Sequence, residues 1–273
     1  MKNILLATDF SPNARNAIEY TFDLFGYEDV NYILLNTYIE PHATTDVIVS
    51  LNDFLKKESI DGLNKENEYF LQNFGQGKLN IKVISKYGDL TWVINKLANT
   101  NHFDFVVLGS KGASAFEYLF MGSNAINVVK SVKIPLLVIP DKMKFSSLRR
   151  IGFAADYLHL DSVEVLDPLA NIARKNQSKL MIVHVHSESD DTNYKQALEG
   201  SELHGEFHDI QHQFYGEKNS NIVEGIEHFI KEHKVELLTM VARKHHFFER
   251  LFQKSITKEI SKFADIPLLV LHE

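Results

Sequence analysis

Phe105-Val106-Val107-Leu108-Gly109-Ser110-Lys111-Gly112, followed after nine further residues by Gly122-Ser123, is the stretch on which the fold turns. The apolar run reads as a strand and the residues from Ser123 to about Lys130 as a helix, so the glycines stand where a strand hands over to a helix. Glycine there lets backbone amides approach an anion with no Cβ in the way. A helix beginning at Ser123 adds orphan N–H groups and the positive end of a dipole. The spacing suits a nucleotide-phosphate cradle. It matches neither the Walker loop, which ends in Gly-Lys-Ser/Thr, nor the dinucleotide fingerprint with its six-residue span. On spacing alone, an ordinary glycine-rich connection accounts for it equally well.

Outward from this strand, residues 4–7, 32–35, 81–84 and 136–139 are further short apolar runs, separated by helical patterns. Ser11 is placed to cap the first helix and Pro12 to open it, and Ala14, Ala17, Ile18, Thr21, Phe22 and Phe25 share one face. Runs apolar at consecutive positions, with crossover helices between them, predict a parallel sheet covered on both faces. The chain then repeats itself. Ile134-Pro135-Leu136-Leu137-Val138 returns as Ile266-Pro267-Leu268-Leu269-Val270, 132 residues later. At the same shift Phe116-Glu117-x-Leu119-Phe120 meets Phe248-Glu249-x-Leu251-Phe252, Ser123 meets Ser255 and Lys130 meets Lys262. Residues 4–9 likewise resemble residues 151–156, and further strand-like runs follow at 180–183, 210–214, 237–241 and 268–271. The expectation is two tandem doubly wound five-stranded parallel-sheet α/β domains, residues 1–142 and 149–273, joined by a polar linker within residues 141–150.

Length agrees, since 273 residues at about 150 per domain allow two, each able to bury a core. A net charge of −7 and the lack of a polybasic run argue against nucleic-acid and membrane partners. Small anionic ligands stay open, because local amides can oppose the overall charge. With no cysteine, disulfides, thiolate metal sites and thiol nucleophiles are excluded, which fits a reducing compartment. The N-terminal apolar run is too short for a signal peptide, and no run approaches the ~20 residues that span a bilayer. These features predict a soluble cytoplasmic protein.

In a doubly wound sheet, ligands bind beyond the carboxyl ends of the strands, where the strand order reverses. The first strand ends on Ala7-Thr8-Asp9 and the fourth on Gly109, so as neighbours they would bring Asp9 and the glycine loop to one cleft. Asp9 could accept hydrogen bonds from an adenine amine or ribose hydroxyls, or serve only as a cap beside Ser11. Thr8-Asp9, Gly88-Asp89 after the third strand, the G-x2-G-x9-G-S loop and the closing Ile-Pro-Leu-Leu-Val strand together resemble a tandem universal stress protein, over essentially the whole chain. The resemblance implies an adenine nucleotide alpha hydrolase-like, Rossmann-like fold, with ATP as ligand and Mg2+ or Mn2+ held by its phosphates. It maps adenine and ribose onto Ala7, Thr8, Asp9 and Thr37, the last through its backbone. It maps the phosphates onto Gly109, Gly112, Gly122, Ser123 and Asn124. Lys111, between the first two glycines, reads either as a point charge on a phosphate or as a solvated loop lysine. No catalytic residue belongs to the pattern, and Asp9 and Asp89 are the carboxylates to consider for positioning a water. The implied function is stress-response regulation, in which nucleotide state sets the choice of a protein partner. A slow ATPase or phosphotransferase and a nucleotide-free scaffold are the alternatives. The resemblance also implies that the halves pair through their last strands, residues 135–139 and 267–271, as an internal pseudo-dimer, and it leaves a homodimer open.

The second half departs from the pattern. At the 132-residue shift Val241 replaces Gly109, Lys244 replaces Gly112 and Lys254 replaces Gly122, and only Ser255 remains of the phosphate set. A β-branched residue and two long side chains obstruct close backbone approach, so one competent site per chain is expected, with Asp156 left as a cap. Histidines are plentiful, but His204, His208 and His212 lack His-Glu-x-x-His spacing, and His245-His246 are adjacent. His184 and His186 would share one face of a strand. No metal ligands are assigned, and a modest pH-sensing role stays open for the histidines. The paired Phe-Glu-x-Leu-Phe segments read as packing.

Overall fold

A run with no polar face has nothing to offer water on either side, so it belongs in the middle of a sheet covered by helices. In the computed structural model, which describes residues 1–39, 48–112, 121–155, 162–186, 203–242, 263 and 265–273, these runs form the strands of two units, Met1–Phe145 and Ser146–Glu273. Among the described residues no helix is long and apolar enough to cross a membrane.

The first unit alternates β1 (Lys2–Ala7), α1 (Pro12–Phe25), β2 (Val30–Tyr38), α2 (Ile48–Asn73), β3 (Ile81–Tyr87), α3 (Leu90–Ala98), β4 (Phe105–Gly109), α4 (Ser123–Ser131) and β5 (Leu136–Ile139). The strands run parallel in the order β3-β2-β1-β4-β5. Ile4 is in register with Tyr32 on one side and Phe105 on the other, so the order reverses between β1 and β4. α1 begins as its sequence predicts: Pro12 opens it and the Ser11 hydroxyl accepts from the Ala14 N–H at 3.1 Å. All six residues of its predicted face are buried, with Phe22 set edge-on against Tyr32 and Phe70 at 4.8 and 5.3 Å between ring centroids. α2 adds a polar lock, in which the Arg15 guanidinium donates to both oxygens of the buried Glu66 carboxylate.

The second unit repeats the plan with β6 (Arg150–Ala154), α5 (Asp167–Asn176), β7 (Lys179–His186), the single turn α6 (Leu203–Glu206), β8 (His212–Lys218), α7 (Ile222–His233), β9 (Leu237–Ala242) and β10 (Leu268–His272). Its order, β8-β7-β6-β9-β10, is that of the first unit strand for strand, and every pair is parallel. Two five-stranded, doubly wound parallel sheets are therefore present, as the repeat predicted. Val241 pairs with Leu271 as Gly109 pairs with Ile139, so the 132-residue shift holds in three dimensions.

Strand ends differ from the sequence expectation where strands leave the core. β2 continues past Leu35 to Tyr38 and β3 past Ile84 to Tyr87, because Asn36, Thr37 and Tyr38 keep their ladder with Ser85, Lys86 and Tyr87. In the second unit the predicted strand at residues 210–214 is displaced to His212–Lys218. Ile210 sits in a turn instead, its N–H donating to Phe207 O at 2.9 Å while its side chain is buried.

Candidate functional site

Two strand ends build the cleft of the first unit. At the end of β1 the ladder continues for one residue, with Thr8 N–H donating to Leu35 O at 2.9 Å and the Asn36 amide donating to Thr8 O at 2.7 Å. The chain then turns sharply. Thr8 Oγ1 accepts from the Phe10 N–H at 3.0 Å and Asp9 Oδ1 from the Ser11 N–H at 3.1 Å. Phe10 takes φ 64°, a left-handed backbone that a bulky residue adopts only when its surroundings hold it there. Its ring is held against Gly62 of α2, where an added Cβ would lie 2.6 Å from ring carbons. Asp9 is therefore presented from a braced turn.

At the end of β4, Ser110 N–H donates to Ile139 O at 2.8 Å, and Ser110 O accepts from the Gly122 N–H at 2.7 Å, which draws the two ends of the glycine loop together. The Asn13 amide, from the first turn of α1, donates to Lys111 O at 2.7 Å. The three glycines are needed for different reasons. A Cβ on Gly109 would lie 2.8 Å from Asn13 Nδ2, and one on Gly112 would lie 2.9 Å from Asp9 Oδ2. A Cβ on Gly122 would meet nothing closer than the Gly112 nitrogen at 3.4 Å, and φ there is an ordinary −72°. Gly122 is also the N-cap of α4 and supplies no side-chain cap, so the first-turn N–H groups of α4 face the loop without one.

These pieces line a cleft of about 210 Å3. All ten residues singled out in the sequence border it: Ala7, Thr8, Asp9, Thr37, Gly109, Lys111, Gly112, Gly122, Ser123 and Asn124. Ala14, Asn36, Leu90, Leu108, Ser110 and Ala125 line it as well and were missed. Asn36 and Ser110 each adjoin a residue that was named, but their inward direction follows from the strand register and the loop closure, not from residue type. Asp9 and Lys111 are the charged groups among the lining residues. Asp89 is not among them. Its carboxylate caps α3, Oδ1 accepting from Thr91 N–H at 2.9 Å and Trp92 N–H at 3.2 Å.

The model of the family described as "Universal stress protein family" matches residues 1–140 and 147–272. The chain belongs to the universal stress protein family. A universal stress protein from Archaeoglobus fulgidus DSM 4304 has a similar structure, with a TM-score of 0.75 and 22% identity over 99% of this chain and 96% of that one. A functionally unknown protein from Pseudomonas aeruginosa PAO1 superposes with a TM-score of 0.62 at 12% identity, over 100% of this chain and 92% of its own. At these identities the likeness is one of fold. No curated protein matches the sequence.

The second universal stress protein unit keeps the base of this architecture with different side chains. Ala155 N–H donates to Val183 O at 2.9 Å, repeating Thr8 to Leu35. The ring Nδ1 of His184 lies 3.0 Å from Ala155 O, in the place where Asn36 bonds Thr8 O, so it carries the proton of that bond. His184 thus stands where the first unit has an amide, with His186 stacked on it at 6.2 Å between ring centroids. At the end of β9, buried Val241 occupies the position that Gly109 holds at the end of β4. Lys244, Lys254, Ser255, Asp156, His245, His246 and the two Phe-Glu-x-Leu-Phe segments lie outside the described residues. Of the histidines weighed for metal, His208 and His212 turn Nδ1 to backbone carbonyls, Gly205 O at 2.9 Å and Ile210 O at 2.8 Å. A group not foreseen in the sequence is Glu217, His228 and Glu232, whose ligand atoms lie within 4.8 Å of one another. His228 Nδ1 lies 2.8 Å from a Glu217 carboxylate oxygen there, and this hydrogen bond accounts for the grouping.

Proposed function

We propose that this universal stress protein binds an adenine nucleotide, ATP with Mg2+ or Mn2+ held by its phosphates, in the cleft of its first unit, and that the bound state regulates a protein partner. The observation that carries the reading is Gly122. Neither its backbone angle nor its neighbours among the described residues require glycine, yet it leaves the α4 N-terminus without a side-chain cap beside the loop. A phosphate settled on those N–H groups supplies the missing reason, since it needs both the space and the uncapped amides. The residues present fit the ligand. Gly109, Gly112, Gly122, Ser123, Asn124 and Lys111 would hold phosphates, and Ala7, Thr8, Asp9 and Thr37 the base and sugar.

The cleft volume is smaller than the ~300 Å3 usual for a ligand site, so part of the nucleotide would lie outside it. A ligand held there is in reach of a partner, which supports a signalling role over a sequestered reaction. With Asp89 committed to its helix cap and Asp9 bonded to its own turn, a base for hydrolysis finds no support in the arrangement.

The test is to purify the chain without added nucleotide, denature it and identify released small molecules by mass, then titrate ATP with magnesium. Gly122→Lys, which copies the second unit, is run in parallel. Nucleotide on the wild type and none on the variant is the expected result. No release and no binding on titration would reduce the protein to a scaffold.

A further inference from the structure

Asn13 belongs to α1, yet its amide lies under the glycine loop. It is 6% exposed, Nδ2 donates to Lys111 O at 2.7 Å, and Gly109 is kept free of a side chain by the same amide. Its Oδ1 is buried with no hydrogen-bond partner among the described residues. A half-satisfied buried amide weakens a fold, so stability does not explain its presence.

Backbone geometry does. The Lys111 carbonyl and the Gly112 N–H belong to one peptide plane, and in a trans peptide they point in opposite directions. Tying the carbonyl inward to α1 turns the Gly112 N–H away from α1. Among the described residues, the Gly112 nitrogen is also the atom nearest to where a Cβ on Gly122 would stand, at 3.4 Å. That N–H is thereby placed on the side of the loop where the uncapped first turn of α4 presents its own donors.

We propose that Asn13 is a positioning residue for phosphate: it fixes the Lys111–Gly112 peptide with its N–H toward the anion, and so sets the preference for a phosphorylated nucleotide over the bare nucleoside. The inference rests on the nucleotide reading above. Gly109, placed above among the residues that would hold phosphate, takes a further role from it, as the residue that admits the Asn13 amide.

The two ligands separate positioning from general damage, because adenosine shares the base and sugar contacts but makes no use of the loop. ATP binding is measured by calorimetry with magnesium, and adenosine binding by ligand-observed NMR, on wild type, Asn13→Ala and the isosteric Asn13→Asp, which fills the same space without a donor. Gly109→Ala, which drives a methyl group into the amide, is a third variant that leaves residue 13 intact. ATP affinity should fall about tenfold or more in all three, the scale of one lost hydrogen bond to a charged group, while adenosine affinity stays within about twofold. Parallel losses for both ligands would mean that Asn13 is structural, and unchanged ATP affinity in the two Asn13 variants would overturn the proposal directly. If the wild type binds neither ligand, the nucleotide reading itself fails and takes this one with it; if it binds both and the variants do not discriminate, only the role of Asn13 falls.

Discussion

At the scale of single residues, the glycine loop shows that one residue type can be required by three different neighbours. Gly109 gives way to the Asn13 amide and Gly112 to the Asp9 carboxylate, whereas no atom of the described residues crowds Gly122. Replacement by alanine should therefore separate them. Gly112→Ala pushes a methyl group to 2.9 Å from Asp9 Oδ2, so it should disturb the turn after β1 and lower both thermal stability and ATP affinity. Gly122→Ala meets no clash among the described residues, and losing glycine at an N-cap should lower Tm by no more than about 3 °C, while ATP affinity falls about tenfold or more because the methyl group stands where phosphate would be held. Thermal unfolding with calorimetric titration of both variants checks this. A Gly122→Ala protein that binds ATP like wild type would remove the main support for the phosphate site.

At the scale of elements, the helices were legible because their ends carry local chemistry. Ser11-Pro12 starts α1 through contacts within three residues, and Asp89 starts α3 the same way. Asp89→Ala should cost about 1 kcal/mol, a fall in Tm of roughly 2–4 °C, and leave ATP affinity unchanged, since the carboxylate is used within the helix and does not line the cleft. Lost nucleotide binding at unchanged Tm would return Asp89 to the site. Strands were legible only where buried on both faces. β3 and β8 lie at the edges of their sheets, and their residues are exposed or half-buried with none in the core, so apolar runs understate β3 and misplace β8. Ile210 illustrates the failure: it is as buried as a strand residue, but a turn buries it.

At the scale of the whole molecule, the first unit carries a cleft with uncapped α4 amides beside a glycine loop, and in the second unit Val241 stands in the first glycine's place. One ATP should bind per chain, not two. Hydrogen exchange on adding ATP and magnesium should slow in residues 7–13, 36–38, 108–112 and 121–126 and stay unchanged in residues 150–155, 182–186 and 237–242. A calorimetric stoichiometry of two, with protection in both sets, would show that the second unit has found another way to hold a nucleotide.

What the sequence by itself determined is whatever depends on neighbours along the chain: the alternation of apolar runs and helices, the cap at Ser11, the repeat at 132 residues, and the glycine spacing that, through the family it resembles, points to ten residues of the cleft. Tertiary structure alone decided which neighbours those residues meet. Only the adjacency of β1 and β4 sets Asp9 against Gly112, and only the packing of α1 under the loop brings Asn13 to Lys111, 98 positions away. Only the shared ladder of β6 and β7 shows that His184 performs the bond of Asn36, a substitution of ring for amide with no trace in composition or spacing. The division is physical. Capping and periodicity are local interactions written in adjacent residues, whereas the contacts that give each glycine its reason form only when distant strands settle into register.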